Sequence, residues 1–401
     1  MSIMKEVSVE PTKEPTKPGN RELLEPAYPA ARAVAAIAEA HFARHMATAR
    51  QEGQLELAPV VDAEAIEAIV DAAFWASLRR EEGYSPKISL AFLPPHLAPW
   101  PLRFEHPLPL NPVTLAHLAP AVERPGIHLG VWRESGETFV WGTTRSIPTL
   151  CFVLEVIQPG LLVIKYRPDQ DPGKFVNVAV LEGDRIKVVD EEGARMPDCP
   201  TLLTSLLDFG SHVPGDDSND VLVQIAVSMR AHGRGGALLV VPQNSEEWRE
   251  SIAGPVNYSV SPPFSKLSEL MWKHAEKRRT RPWQEALETA VDTIGGLTAV
   301  DGAAIITDKY ELLAFGAKIV RRKGGAQVEQ VVATEPILGS APSIVNPVQL
   351  GGTRHLSAAQ FVQDQKDAIA LVASQDGRFT LFSWSPCEDM VHAHRVEALL
   401  L

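Results

Sequence analysis

Two short peptides carry residue types that do chemistry. The first is Asp301-Gly302-Ala303, which runs into the apolar stretch Ala304-Ile305-Ile306. A carboxylate beside glycine at a strand edge is a ligand for Mg²⁺ or Mn²⁺, or an acceptor for a hydroxyl proton. Asp-Gly is equally the usual turn dipeptide, so this peptide by itself leaves both readings open. The second peptide is Gly351-Gly352-Thr353-Arg354-His355-Leu356-Ser357-Ala358, ahead of a helical segment through Gln365. A helix start presents free backbone N–H groups, and a guanidinium fork grips paired oxygens, so with two hydroxyls this set suits a phosphate. His355 adds a donor or a base near neutral pH. The competing reading is a capped helix with a hydrogen-bonded histidine.

The elements around these peptides decide whether they meet. Leu312–Ile319 and Ala368–Ser374 read as strands, and Pro282–Thr298 as a helix with proline in its first turn. Asp216–His232 has Val221, Leu222, Ile225, Ala226 and Met229 at helical spacing, with Asp216 to Ser218 available as caps. His232-Gly233-Arg234-Gly235-Gly236 then leads into the buried strand Ala237–Val241. A strand, not a helix, follows these glycines, so they are no dinucleotide fingerprint; they form a tight turn or touch a phosphate directly. Phe264–Lys277 reads as helical, with a basic run from Lys277 to Arg281. The segment 321–350, between the two peptides, reads as a lid whose Arg321, Arg322 and Lys323 could bring positive charge.

Upstream the pattern is different. Met1–Tyr28 is a charged, proline-bearing arm that is expected to be disordered. Pro29–Gly53 and Asp62–Glu82 are amphipathic helices, the second capped by Asp62. His41 and His45 lie four apart, either a metal pair or ordinary surface histidines. Leu93–Pro125 is proline-rich and reads as an extended connection docked on a surface. From Ile127 to Val189 the period becomes that of strands separated by Ser-Gly, Pro-Gly and Gly-Asp turns, which predicts a mostly antiparallel β module. Its Trp132 and Trp141 line a pocket or fill the core. Pro200–Leu207 reads as a short amphipathic helix.

At 401 residues the chain is long enough for two or three domains, and 45% hydrophobic residues allow sizeable cores. A net charge of −12 argues against a nucleic-acid surface while permitting a small basic pocket. Cys151, Cys199 and Cys387 are widely spaced with no C-x-x-C, as expected of a reducing, cytoplasmic setting. The longest apolar region, Pro148–Tyr166, is interrupted by Glu155, Gln158, Pro159 and Gly160, so no membrane span is expected.

The ordered set Asp301-Gly302-Ala303, then Gly-Thr-Arg-His-x-Ser-Ala at 352–358, then Asp367–Ser374 and Gly377–Leu381 resembles the diadenylate cyclase domain family. Gly235–Val241 is similar to that family's first core strand, so the resemblance spans roughly 217–385. It implies an α/β fold, with a mixed sheet flanked by helices over 217–401; the region before it lies outside the resemblance and reads as an appended α+β sensor-like domain over 29–210 after the arm 1–28. The resemblance also implies a nucleotidyltransferase that condenses two ATP into cyclic di-AMP, with Mg²⁺ or Mn²⁺, between face-to-face protomers of a homo-oligomer. Asp301, Arg354 and His355 would then be catalytic. Gly302, Ala303, Gly352, Thr353 and Ser357 would bind the nucleotide, and Asp301 and Asp364 the metal. The chain departs from the family at Leu356, where an arginine is usual, and an aliphatic side chain cannot replace a guanidinium. The alternative is therefore a degenerate domain that senses a nucleotide without making a bond.

Overall fold

The computed structural model describes residues 27–54, 56–80, 83–134, 136–168, 175–190, 218–272 and 280–401. The expected arm at 1–26, the helix at Pro200–Leu207, the caps at Asp216 and Asp217, and the basic residues 277–279 lie outside them. The architecture is α/β, with two mixed sheets that carry helices.

The first sheet has eight strands: β1 (Ile88–Phe92), β2 (Leu102–Pro109), β3 (His128–Glu134), β4 (Glu137–Thr144), β5 (Val153–Gln158), β6 (Leu161–Tyr166), β7 (Val176–Glu182) and β8 (Arg185–Val188). Their order is β2-β4-β3-β1-β5-β6-β7-β8, and only the β1–β3 pairing is parallel. Helices α1 (Pro29–Gln51), α2 (Ala63–Ser77) and α3 (Pro112–Val122) pack on it. Asp62 caps α2 by accepting from the Ala65 amide at 2.7 Å, and Ile66, Ile69, Val70 and Ala73 are fully buried beneath. Each such isoleucine or valine side chain contributes roughly 1.5–3 kcal/mol. Trp141 is a core residue, its indole N–H donating to the Leu93 carbonyl at 2.8 Å.

The proline-rich stretch corrects the expectation of a plain connection. It contains an edge strand and a helix, β2 and α3, because prolines are tolerated on a sheet edge and in a first helical turn. Asn111 caps α3 by accepting from the Thr114 amide at 2.8 Å. His41 is buried and its ring lies 4.3 Å from that of His45, so the two are not a surface pair. Among the described residues no group of three or more His, Cys, Asp or Glu is arranged to hold a metal ion. No helix among them is long and apolar enough to cross a membrane.

The second sheet has nine strands: β9 (Gly236–Val241), β10 (Tyr258–Phe264), β11 (Ala303–Thr307), β12 (Leu312–Ala317), β13 (Val331–Thr334), β14 (Ser343–Val345), β15 (Ile369–Ala373), β16 (Phe379–Ser385) and β17 (Met390–Arg395). The order is β10-β12-β11-β9-β15-β16-β17-β13-β14. Helices α4 (Ser218–Ala231), α5 (Lys266–Met271) and α6 (Arg281–Leu297) share one apolar core with this sheet. Short α7 (Val348–Gly351) precedes α8 (Thr353–Asp364), whose apolar side chains share the other core. Central β9 and β11 run parallel, which brings the ends of both the glycine turn and the Asp301 peptide to one edge of the sheet.

Segment 321–350 is not a lid. Its strands β13 and β14 extend the sheet beyond β17, and residues 336–338 then reach across to the first sheet. The Leu338 amide donates to the Val188 carbonyl at 2.9 Å, and the Asp190 amide to the Pro336 carbonyl at 3.0 Å. Lys187 pairs with Glu335 at 2.6 Å and Glu397 at 3.3 Å, and Arg395 pairs with Glu397 at 2.7 Å. On β7 the Asn177 amide donates to the carbonyls of Ala398, at 3.0 Å, and Leu401, at 3.1 Å. From α4, Arg230 donates to the carbonyls of Leu400, at 3.0 Å, and Gly377, at 3.1 Å.

Candidate functional site

Asp301 closes the short connection from α6 to β11 and is exposed. Behind it Gly302 lies against Gly316 of β12: a methyl group added at Gly302 would sit 2.5 Å from the Gly316 carbonyl carbon. Glycine at both positions lets the strands close up and leaves the Asp301 carboxylate at the mouth of a cleft.

The opposite wall is the start of α8. Gly352 stands at its N-cap with φ +80° and ψ −152°, a region reserved for glycine, and no side chain caps the helix. The first-turn N–H groups are therefore free for an anion. At about 100° per residue, Thr353, Arg354 and Ser357 share one arc, while His355 falls about 160° from Ser357. The structure follows that geometry. Thr353, Arg354 and Ser357 line the cleft, and His355 is fully buried on the sheet side.

The cleft has a volume of about 840 Å³. Asp301, Gly302, Ala303, Gly351, Thr353, Arg354 and Ser357 line it together, joined by Lys318 from the end of β12 and by Ser374, Gln375 and Asp376 from the β15–β16 turn. Two carboxylates and two cations thus face a common space.

The glycine turn borders the site as well. A methyl group on Gly235 would lie 2.6 Å from a guanidinium nitrogen of Arg354, so the arginine side chain rests on the turn. Gln375 donates to the Arg234 carbonyl at 3.3 Å and joins the β15–β16 turn to it. His232 shares a hydrogen bond with Thr298 at 3.2 Å, and burial, reinforced by Arg234, pushes its pKa down.

Two residues expected at the site lie elsewhere. His355 shares a hydrogen bond with the Thr380 hydroxyl at 3.2 Å, packs edge-on to Phe382, and has its pKa pushed down by burial. It therefore supports α8 from behind and does not face the cleft. Asp364 stands eleven residues after Thr353, about 16 Å along the helix axis, too far to join Asp301. It accepts from the Arg322 amide at 2.9 Å. Arg322 itself pairs with Glu250 at 2.6 Å, and none of Arg321, Arg322 and Lys323 lines the cleft.

Asp376 and Lys318 are the residues that sequence reasoning passed over. The hairpin signal of Gln375-Asp376-Gly377 between two strands was available, but only the β9–β15 pairing brings that turn beside Asp301.

Comparison with known proteins bears on the first sheet. Residues 55–145, from the segment ahead of α2 through β4, match a family described as "Probable sensor domain DACNV". That match marks an N-terminal sensor-like domain ahead of the cleft. No curated protein matches the chain.

Proposed function

We propose that the chain is a diadenylate cyclase-like nucleotidyltransferase, governed by its sensor-like domain, that condenses two ATP into cyclic di-AMP across two facing protomers. One observation carries this reading. The two peptides singled out for their chemistry, far apart in sequence, line one cleft with Asp301 facing Thr353, Arg354 and Ser357.

In this reading the α8 N-terminus, the Thr353 and Ser357 hydroxyls and the Arg354 fork hold the phosphates. Gly302 and Ala303 form a close-fitting backbone floor for the nucleoside. Each 3′-hydroxyl attacks the α-phosphorus of the other ATP. One O–P bond forms, the bond to the β-phosphate bridge breaks, pyrophosphate leaves, and the hydroxyl proton passes to Asp301. Positioning and charge neutralisation do most of the work.

The donors fit Mg²⁺ or Mn²⁺, which are held by one or two carboxylates together with substrate phosphates. Asp301 and Asp376 would be those carboxylates, in place of Asp364. The bound ion would neutralise charge on the phosphates.

The regulatory part of the proposal rests on contiguous contacts. Asn177 of the first sheet holds the segment 398–401, Arg230 holds both that segment and Gly377, and Gly377 adjoins Asp376 in the cleft. Such a chain of bonds can transmit a shift only if the two ends have two arrangements, which makes it testable.

A second reading, a nucleotide sensor without turnover, is favoured by Leu356, which packs against the core and brings no charge. Incubation with ATP and Mn²⁺ or Mg²⁺, with products read by mass, separates the two. Cyclic di-AMP that disappears in a folded Asp301→Asn variant supports the enzyme. ATP binding without product under either metal leaves the sensor.

A further inference from the structure

We infer that Lys318 supplies the second positive charge that the cleft applies to a bound polyphosphate, facing Arg354 from the opposite wall. The inference rests on the nucleotide reading above.

Leu356, two residues beyond Arg354, is turned toward the core and leaves α8 with one cation at the cleft. A triphosphate brings about four negative charges, and Asp301 and Asp376 add two more. Even with a divalent ion and the Arg378–Asp376 pair counted, one guanidinium leaves that set net negative. Of the other cations nearby, Arg378 pairs with Asp376 at 3.2 Å and Arg322 with Glu250 at 2.6 Å, and Arg234 of the glycine turn does not line the cleft.

Lys318 differs in three respects. Its side chain is exposed and lines the cleft. Among the described residues it has no hydrogen-bond or ion-pair partner for its ammonium. Its backbone is nevertheless fixed: its carbonyl accepts from the Ala253 amide at 2.8 Å, and the next residue, Ile319, bridges to Ile252. A pinned backbone with a free, charged side chain is what a ligand-binding lysine requires. Its ammonium is a compact charge with three donors, and it reaches phosphate oxygens without the fixed planar geometry of an arginine fork. The lost arginine charge is thus replaced from β12, not from segment 321–350.

The test is calorimetric titration of the full chain with Mg²⁺-ATP, AMP and adenosine. Lys318→Met is expected to weaken ATP by about tenfold, AMP by less, and adenosine not at all, while Lys318→Arg restores ATP. If Lys318→Met binds ATP as tightly as the unaltered chain while Arg354→Met does not, the nucleotide site stands and the role of Lys318 is overturned. Equal losses for ATP and adenosine also overturn it, because they mark a structural effect. Failure of the unaltered chain to bind ATP removes the nucleotide reading and this inference with it.

Discussion

Gly235→Ala tests how Arg354 is held. A Cβ at this position would lie 2.6 Å from an Arg354 guanidinium nitrogen and 3.2 Å from the Ala373 carbonyl oxygen. The strand carbonyl is anchored, so the flexible guanidinium tip gives way and swings out of the cleft. Hydrogen bonds to a charged group are worth about 1.5–3 kcal/mol, so ATP affinity should fall roughly 10- to 100-fold. Gly235 also has φ +70°, and a left-handed alanine costs about 1–2 kcal/mol of stability wherever it is placed. Gly233 separates the two effects: its φ is +62°, yet nothing lies within 4 Å of its added Cβ. Both alanine variants should melt at similarly lowered temperatures, but only Gly235→Ala should lose ATP affinity in titration, with adenosine unchanged. If the two variants bind ATP equally well, the guanidinium does not ligate phosphate from its seat on this turn.

Three further outcomes are expected. His128 and His394 are buried neutral, burial first holding their pKa values down at about 4 and about 3, with Lys165 and Arg167 adding to the effect on His128 and His392 to that on His394. Their stabilisation is complete above about pH 6.5 and is lost as pH falls toward those values, because only the unfolded chain takes up the protons. At about 1.4 kcal/mol per pH unit for each, unfolding at pH 5 should be easier than at pH 7.5 by about 4 kcal/mol, and a constant urea midpoint would refute this. Asp376→Asn should raise the Mn²⁺ concentration needed for half-maximal turnover several-fold, and an unchanged metal titration would remove Asp376 from the ligand set. Asn177→Ala frees the carbonyls of Ala398 and Leu401, so hydrogen exchange should quicken at the neighbouring amides of Leu399 and Leu400 and at Gly377. Exchange that quickens at 399–400 but not at Gly377 would show that the contact chain stops short of the cleft.

Local chemistry was legible where it depends on neighbours in sequence. The Asp62 cap, the apolar stripe of α2 and the strand periods of β3 to β8 follow from spacing alone. Helical spacing also carried the information that His355 turns away from Ser357, since two residues of rotation decide it. What misled was composition: prolines between Leu93 and Pro125 suggested a connection, although an edge strand and a capped helix accommodate them. The five-residue β1, Ile88–Phe92, went unread ahead of the proline-rich stretch.

The sequence by itself named Asp301, Gly302, Ala303, Thr353, Arg354 and Ser357 as a set and counted His355 and Asp364 among them, while the uncapped start of α8 and the burial of His355 appear only in the fold. Tertiary structure alone decided their company. Pairing of β9 with β11 and β15 sets the β15–β16 turn beside Asp301, so Asp376, and not Asp364, shares the cleft with it. Pairing of β11 with β12 carries Lys318 to the wall opposite Arg354. Both decisions rest on strand pairings between distant segments, and a register set by long-range hydrogen bonds and shared burial leaves no trace in the local spacing of residues.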